Sequence, residues 1–205
     1  MANDFTYDNF LKYKNVPRGT FLRLECFVEL LKKWQKTINL ISDSTISDVW
    51  IRHIIDSIQL YDHITDDAVV DIGSGAGFPG MILAILGIKN MTLVESDTRK
   101  TSFLREAARV TNTTVTIINK RAEEISLGEF SIVTARGCAS ILSLFNMLQN
   151  TLNNSHNILL LKGKNYINEI KEAQKEWSFD CKATPSITDN EGVVLSLTHL
   201  HRQGA

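Results

Sequence analysis

The sequence predicts an α/β fold: a mostly parallel, seven-stranded sheet with helices on both faces, an antiparallel C-terminal edge strand and an N-terminal helical extension. Three observations carry this. From Ala68 onward, short runs rich in Val, Ile and Leu alternate with longer amphipathic stretches, the pattern of strands joined by crossover helices. Those runs turn polar only near their ends, as strands covered on both faces do. Finally, DIGSGAGFPG, Asp71 to Gly80, sets an acid at the end of an apolar run and follows it with four glycines. Strand, bare turn and helix in that order make a nucleotide-sized crevice at the carboxyl edge of an open α/β sheet.

Taken in order, residues 1 to about 65 read as helical. Phe27, Leu31, Trp34, Ile38 and Ile41 recur at three- and four-residue steps, with Lys32, Lys33 and Lys36 largely off that face. The polar turn NLISDST offers caps for a second helix, expected from Ser47 to His63 with Val49, Ile54, Ile58 and Tyr61 inward. AVVDI, MTLVE, TVTIIN, FSIVTAR and NILLLKG then read as strands. PGMILAILG, with Pro79 suited to a first helical turn, precedes TRKTSFLREAARV, a short RAEEIS turn, ASILSLFNMLQN and NYINEIKEAQKEW as the crossovers. DCKATPSI and GVVLSLTHL, joined by the turn TDNEG, close the chain; a return without a crossover helix requires an antiparallel edge. With no repeat or linker between them, residues 1–65 are expected to be a cap packed on a core of residues 66–205 as one compact unit.

Bulk properties narrow the class. With 43% hydrophobic and 22% charged residues and a net charge of −1, the chain has the composition of an ordinary globule, and any basic surface must be local. Cys26, Cys138 and Cys181 are too far apart for a redox or metal pair, so reduced, mostly buried thiols in the cytoplasm are expected. No metal is expected. The opening MANDFTYDNFLKYK lacks the apolar core of a signal peptide, and no apolar stretch is long enough to span a bilayer. With no long apolar edge or heptad, a monomer without membrane contact is expected.

The spacing Gly75-Ala-Gly77-Phe-Pro-Gly80 satisfies the dinucleotide pattern, but glycine-rich turns after a strand serve several nucleotide-like ligands. Asp71, just before the glycines, suits a cationic, amine-bearing ligand better than a pyrophosphate. Glu95, ending the next strand, would accept ribose hydroxyls and suits NAD equally well. The following strand runs into Arg121-Ala122-Glu123, where an acid and backbone groups would hold an adenine. The antiparallel closing edge departs from a fold of two parallel dinucleotide-binding halves.

Together these residues resemble a class I S-adenosylmethionine-dependent methyltransferase. The resemblance sharpens outside the loop. NLIS at 39–42, RHIIDS at 52–57, DIGSGAGFPG, RAEE at 121–124, TARG at 134–137 and LLLKG at 159–163 occur in the order of one family. The chain is similar, over nearly its whole length, to the bacterial 16S rRNA guanine-N7 methyltransferases, the glucose-inhibited division protein B family. One departure is Gly137, where the family usually has alanine.

The resemblance implies S-adenosylmethionine as cofactor and 16S rRNA of the 30S subunit as partner. It implies cofactor contacts from Gly73, Phe78, Glu95, Ala122, Glu123 and Arg136, with Asp71 and Gly75 contacting or shaping the methionine end. Arg136, Lys162, Arg52, His53 and Asp56 would position the acceptor base. Guanine N7 carries a free lone pair and no proton, so alignment rather than acid–base chemistry is expected. Arg52 and Asp56 also have the spacing of a helix-surface ion pair, and His53 and Ser57 that of a cap or packing contact. Lys162, Lys164, Arg52, Arg136 and Lys32, Lys33 and Lys36 would form a basic rim for RNA phosphates, the alternative, above all for Lys32, Lys33 and Lys36, being a solvated face. The rivals are a methyltransferase for another base or a small molecule, an NAD-linked oxidoreductase, and a non-catalytic ribosome-binding protein. A cytosine-C5 enzyme would need a nucleophilic Cys138; an adenine-N6 enzyme would need an Asn/Asp-Pro-Pro-aromatic segment where TARGCAS stands.

Overall fold

The computed structural model describes residues 5–65 and 68–204. The expected cap boundary after residue 65 abuts residues outside that description. Seven strands form one sheet in the order β3-β2-β1-β4-β5-β7-β6. They are β1 (Val69–Ile72), β2 (Met91–Val94), β3 (Thr116–Ile118), β4 (Ile132–Arg136), β5 (Asn157–Lys162), β6 (Trp177–Pro185) and β7 (Val193–Arg202). The first five run parallel; β7 pairs antiparallel with both β5 and β6. The chain order reverses between β1 and β4, and that switch point opens the crevice expected of an open α/β sheet.

The crossover helices are α4 (Gly80–Leu86), α5 (Thr98–Val110), α6 (Ile141–Leu148) and α7 (Tyr166–Ala173), preceded in the cap by α1 (Tyr7–Leu11), α2 (Arg18–Gln35) and the short α3 (Asp56–Ile58). Local chemistry explains their ends. The Asp97 carboxylate accepts from the backbone N–H groups of Arg99 and Lys100 to start α5, and Ser140 caps α6. Gly87, with φ of 113°, ends α4 in the left-handed conformation.

Side-chain alternation divides the core between the faces of the sheet. Val69, Met91, Leu93 and Ile132 pack with α2, α4 and α5, whereas Val70, Ile72, Val133 and Ile158 pack with α6. Cap and sheet share apolar contacts: the Phe27 ring of α2 lies 5.5 Å from Phe78 and 5.9 Å from Phe103. β3 is the exception to strands covered on both faces, since it sits at the edge and none of its residues is fully buried.

Two sequence expectations change. The segment Ser47 to His63 is not one regular helix: Trp50–Ile55 is a π-helical turn that runs into α3, and a 3₁₀ turn follows at Tyr61–His63. The Ser57 hydroxyl donates to the carbonyl of His53 at 2.6 Å, a back-bond that competes with regular helical pairing. The three thiols are free, as expected, but exposed rather than buried. Cys26 lies on the outer face of α2, Cys181 on edge strand β6, and Cys138 just past the end of β4.

Candidate active site

A cleft of about 720 Å³ opens over the carboxyl ends of β1, β2, β4 and β5. The glycine loop forms its floor, the π-helical turn one wall and the β6–β7 turn the other. A second hollow of about 770 Å³ lies within the cap, between α1, α2 and residues 46–50, and touches no strand end.

Asp71 is fully buried. Its Oδ2 accepts from the Gly80 N–H at 3.1 Å and its Oδ1 from the Thr134 hydroxyl at 2.8 Å. Burial pushes its pKa up to about 6, against hydrogen bonds from Thr134, Ser74 and Gly80 and the charge of Arg136. The acid expected near the ligand's cationic end is therefore turned inward, where it shapes the loop. Above it, Gly75 has φ of +56°, and a Cβ there would approach only the Gly73 carbonyl, at 3.8 Å. That bare surface, open to the cleft, is where a ligand can meet backbone closely.

Glu95, 8% exposed, accepts from the Gly75 N–H at 2.9 Å and the Asp97 N–H at 2.8 Å through different oxygens. Each oxygen keeps a further lone pair, so the carboxylate can still receive two vicinal hydroxyls. Open glycine surface and a shielded carboxylate with spare acceptors fit a ribose-bearing cofactor. Ala122 and Glu123 stand on a 3₁₀ turn after β3 and do not line the cleft.

The wall from the cap converges on Arg136. One terminal nitrogen, Nη1, donates to the Arg52 carbonyl at 3.0 Å and to Asp56 Oδ2 at 3.2 Å; Nη2 donates to His53 Nδ1 at 2.7 Å. The guanidinium also lies 4.9 Å from the centre of the Phe78 ring, on which His53 stacks at 4.9 Å. Burial lowers the Arg136 pKa, and the charge of Asp56 opposes that shift. An arginine cannot accept, so His53 Nδ1 is the bare nitrogen and the imidazole proton sits on Nε2. Nε2 donates at 2.8 Å to the Thr45 hydroxyl, which itself donates to the Ser42 carbonyl at 2.8 Å. Burial first, then Arg136 and Arg52, pull the His53 pKa down to about 3. His53 is neutral at physiological pH.

The expected Arg52–Asp56 pair does not form: Asp56 pairs with Arg136, and Arg52 reaches Asp189 at 3.5 Å. Lys162 lines the cleft, but its ammonium donates to the Ala139 carbonyl at 2.7 Å and to Glu169 at 2.8 Å. With Lys32 paired to Glu29 at 2.9 Å, four cations of the expected rim stand beside acids. Sequence reasoning missed the opposite wall, where Ser186, Thr188, Asp189 and Gly192 line the cleft. The only signal for it was the turn TDNEG, which marks a reversal and no ligand.

A family model described as GidB, rRNA small subunit methyltransferase G, matches residues 21–195. The chain belongs to the rRNA small subunit methyltransferase G family. Ribosomal RNA small subunit methyltransferase G of Rickettsia felis is 45% identical over 187 residues, covering 90% of this chain and 96% of that protein. Its Rickettsia prowazekii counterpart is 46% identical over 180 residues, 87% and 93% of the two chains. The span matched by the GidB model contains every residue of the cleft, from Leu40 to Val193. Solved structures show the fold alone. A ribosomal protein L11 methylase from Lactobacillus delbrueckii aligns with a TM-score of 0.58 at 15% identity over 73% of this chain and 79% of that one. An MtNAS mutant in complex with S-adenosylmethionine aligns at 0.59 and 15% identity, over 88% and 73%. The sheet of this GidB family member is thus the class I methyltransferase fold. Among the described residues, no helix is long and apolar enough to cross a membrane.

Proposed function

We propose that this protein is an S-adenosylmethionine-dependent methyltransferase that modifies N7 of a guanine in the 16S rRNA of the small ribosomal subunit. Membership of the family over residues 21–195 carries the rRNA reading, and the chemistry of the cleft supports the acceptor atom. Glu95 would hold the cofactor's ribose, Gly73 and the open backbone at Gly75 its methionine end, with Phe78 beside it and Ala122 and Glu123 toward the adenine. The cofactor, when bound, supplies an electrophilic methyl group on a sulfonium. Guanine N7 presents a lone pair and no proton, so the acceptor needs alignment and no general base. The cleft suits that need: Asp71 is buried in hydrogen bonds, and the bare nitrogen of His53 already accepts from Arg136. Arg136, flanked by Arg52, His53 and Asp56, would orient the base, arginine to guanine O6 being a common pairing. Lys162 would support this side by fixing α6 and α7 to the end of β5.

Residues 1–65 and 66–205 are proposed to work as one unit, in the cytoplasm and as a monomer. The exposed large apolar side chains among the described residues are few: Leu11, Tyr13 and Leu22 on or beside α1 and α2, Ile167 on α7 and Ile187 on the β6–β7 turn. The test is transfer from tritiated S-adenosylmethionine to unmodified 16S rRNA or 30S particles, followed by nucleoside analysis. The expected product is 7-methylguanosine at one site; no transfer to either substrate overturns the proposal.

Cys138 offers a sharper check on the acceptor. Although the residue as a whole is exposed, its side chain lies against Gly73, and this partial desolvation, with the charge of Asp71, raises the thiol pKa, which opposes the thiolate that a cytosine-C5 mechanism requires. Cys138→Ser is expected to keep turnover within about twofold. Loss of turnover with cofactor binding intact would contradict the N7 assignment.

A further inference from the structure

We propose that Thr188, on the β6–β7 turn, is a positioning residue: it orients the Asp56 carboxylate and, through it, the Arg136 guanidinium. The inference rests on the acceptor role proposed for Arg136. Asp56 is held at both oxygens. Oδ2 accepts from Arg136 at 3.2 Å, and Oδ1 accepts from the Thr188 hydroxyl at 2.7 Å and from Gln59 Nε2 at 3.1 Å. The Gln59 carbonyl in turn accepts from the backbone N–H of Ile187 at 2.8 Å. Both donors to Oδ1 are therefore bound to the same turn.

That turn is stiff enough to transmit position. The Ser186 N–H donates to the Gly192 carbonyl at 2.9 Å, and the Gly192 N–H to the Asp189 carbonyl at 3.0 Å. Its base is the pair Pro185–Val193, and Val193 is in register with Lys162 at the end of β5. A continuous path thus runs from the sheet, through the turn, to Asp56. Arg136 has three acceptors: the Arg52 carbonyl, His53 and Asp56. The first two belong to the π-helical turn itself, which otherwise reaches the opposite wall through the exposed Arg52–Asp189 pair at 3.5 Å; Asp56 is the acceptor whose own carboxylate is bound by that wall. Arg136 and Asp56 are 17% and 19% exposed, so water competes weakly for either.

Thr188→Val removes the hydroxyl proton and keeps the shape. The expected result is a kcat on 16S rRNA or 30S particles lowered about tenfold, with KM and S-adenosylhomocysteine affinity within about twofold. Thr188→Ser restores kcat to within about twofold, and in an Asp56→Asn background Thr188→Val adds no further loss. Where valine disturbs folding, Thr188→Ala takes its place in the same comparison. A second readout needs no substrate: the ¹⁵N side-chain signals of Arg136, assigned with Arg136→Lys, are resolved in the parent and averaged by free rotation in the Thr188 variant. Unchanged kcat, a serine variant as impaired as valine, losses that add to those of Asp56→Asn, or unaltered Arg136 signals each overturn the inference. If the parent transfers no methyl group, the proposed function fails and the Arg136 signals alone decide this one.

Discussion

Gly80→Ala is expected to destabilise the fold by about 2–4 kcal/mol and to weaken S-adenosylhomocysteine binding more than tenfold. In an ordinary helix the same change would gain up to about 1 kcal/mol. Here the new Cβ would stand 2.4 Å from Leu93 Cδ2, 2.7 Å from Asp71 Cβ and 2.8 Å from Asp71 Oδ2. Asp71 Cβ is fixed to β1 and cannot withdraw without moving the strand, and the Leu93 side chain on the adjacent strand is fully buried, so it has little room to turn aside. Relief must come from the start of α4, and that motion breaks the bond from the Gly80 N–H to Asp71 Oδ2. A buried carboxylate is then left one donor short. Gly19→Ala is the matched control, because a Cβ at that position has nothing within 4 Å. Urea unfolding and calorimetric titration measure both effects; equal midpoints for the two alanine variants would refute the account.

The second large effect is a pair of opposed pH dependences. Asp71 has a folded pKa of about 6 against an ordinary value of 3.8. Its contribution is complete below about pH 4 and is lost as pH rises through 6. For so deeply buried a group the shift corresponds to about 3 kcal/mol. His53 has the reverse sign. Its folded pKa is about 3 against 6.5, so its contribution holds above pH 6.5 and is lost as pH falls toward 3. The two partly cancel in the parent between pH 4 and 6, and single substitutions separate them. Asp71→Asn keeps an acceptor for Gly80 and turns the Thr134 hydroxyl from donor to acceptor. It is expected to be more stable than the parent at pH 8, with the advantage vanishing toward pH 4. His53→Gln is expected to flatten the loss of stability below pH 6.5. Urea midpoints between pH 4 and 8 are the measurement, and curves parallel to the parent's contradict both assignments.

The strands and the glycine loop were legible because their signals are local. Apolar runs such as AVVDI and NILLLKG are bounded by polar residues, and Gly73, Gly75 and Gly77 all take the positive φ that a bare turn needs. Partners remote in sequence were not legible. Arg52 and Asp56 carry the spacing of a helical ion pair, yet each finds its partner on a different, distant element. The wall at Ser186 to Gly192 was hidden because a polar turn has the same composition whether it faces solvent or a cleft. Asp71 was expected to contact or shape the methionine end, and burial with hydrogen bonds from Gly80 and Thr134 ties its carboxylate into the loop's foundation. Which way a side chain turns at a strand end depends on the neighbouring strand, here Thr134 of β4, and no local pattern carries that.

The π-helical turn at Trp50–Ile55 bears on how this segment can change over evolutionary time. A π turn holds one more residue than an α turn across the same span, so its geometry is a matter of residue count. Deleting one residue there would favour ordinary α pairing and rotate whatever follows by about 100°. Asp56 would then swing off Arg136, and Ser57 and Ile58 would leave their buried sites. The side chains of Trp50, Ile51 and Ile55 can vary in kind as long as they fill the same space. Length is the quantity under constraint, and an insertion or deletion in this stretch would do more harm than most substitutions.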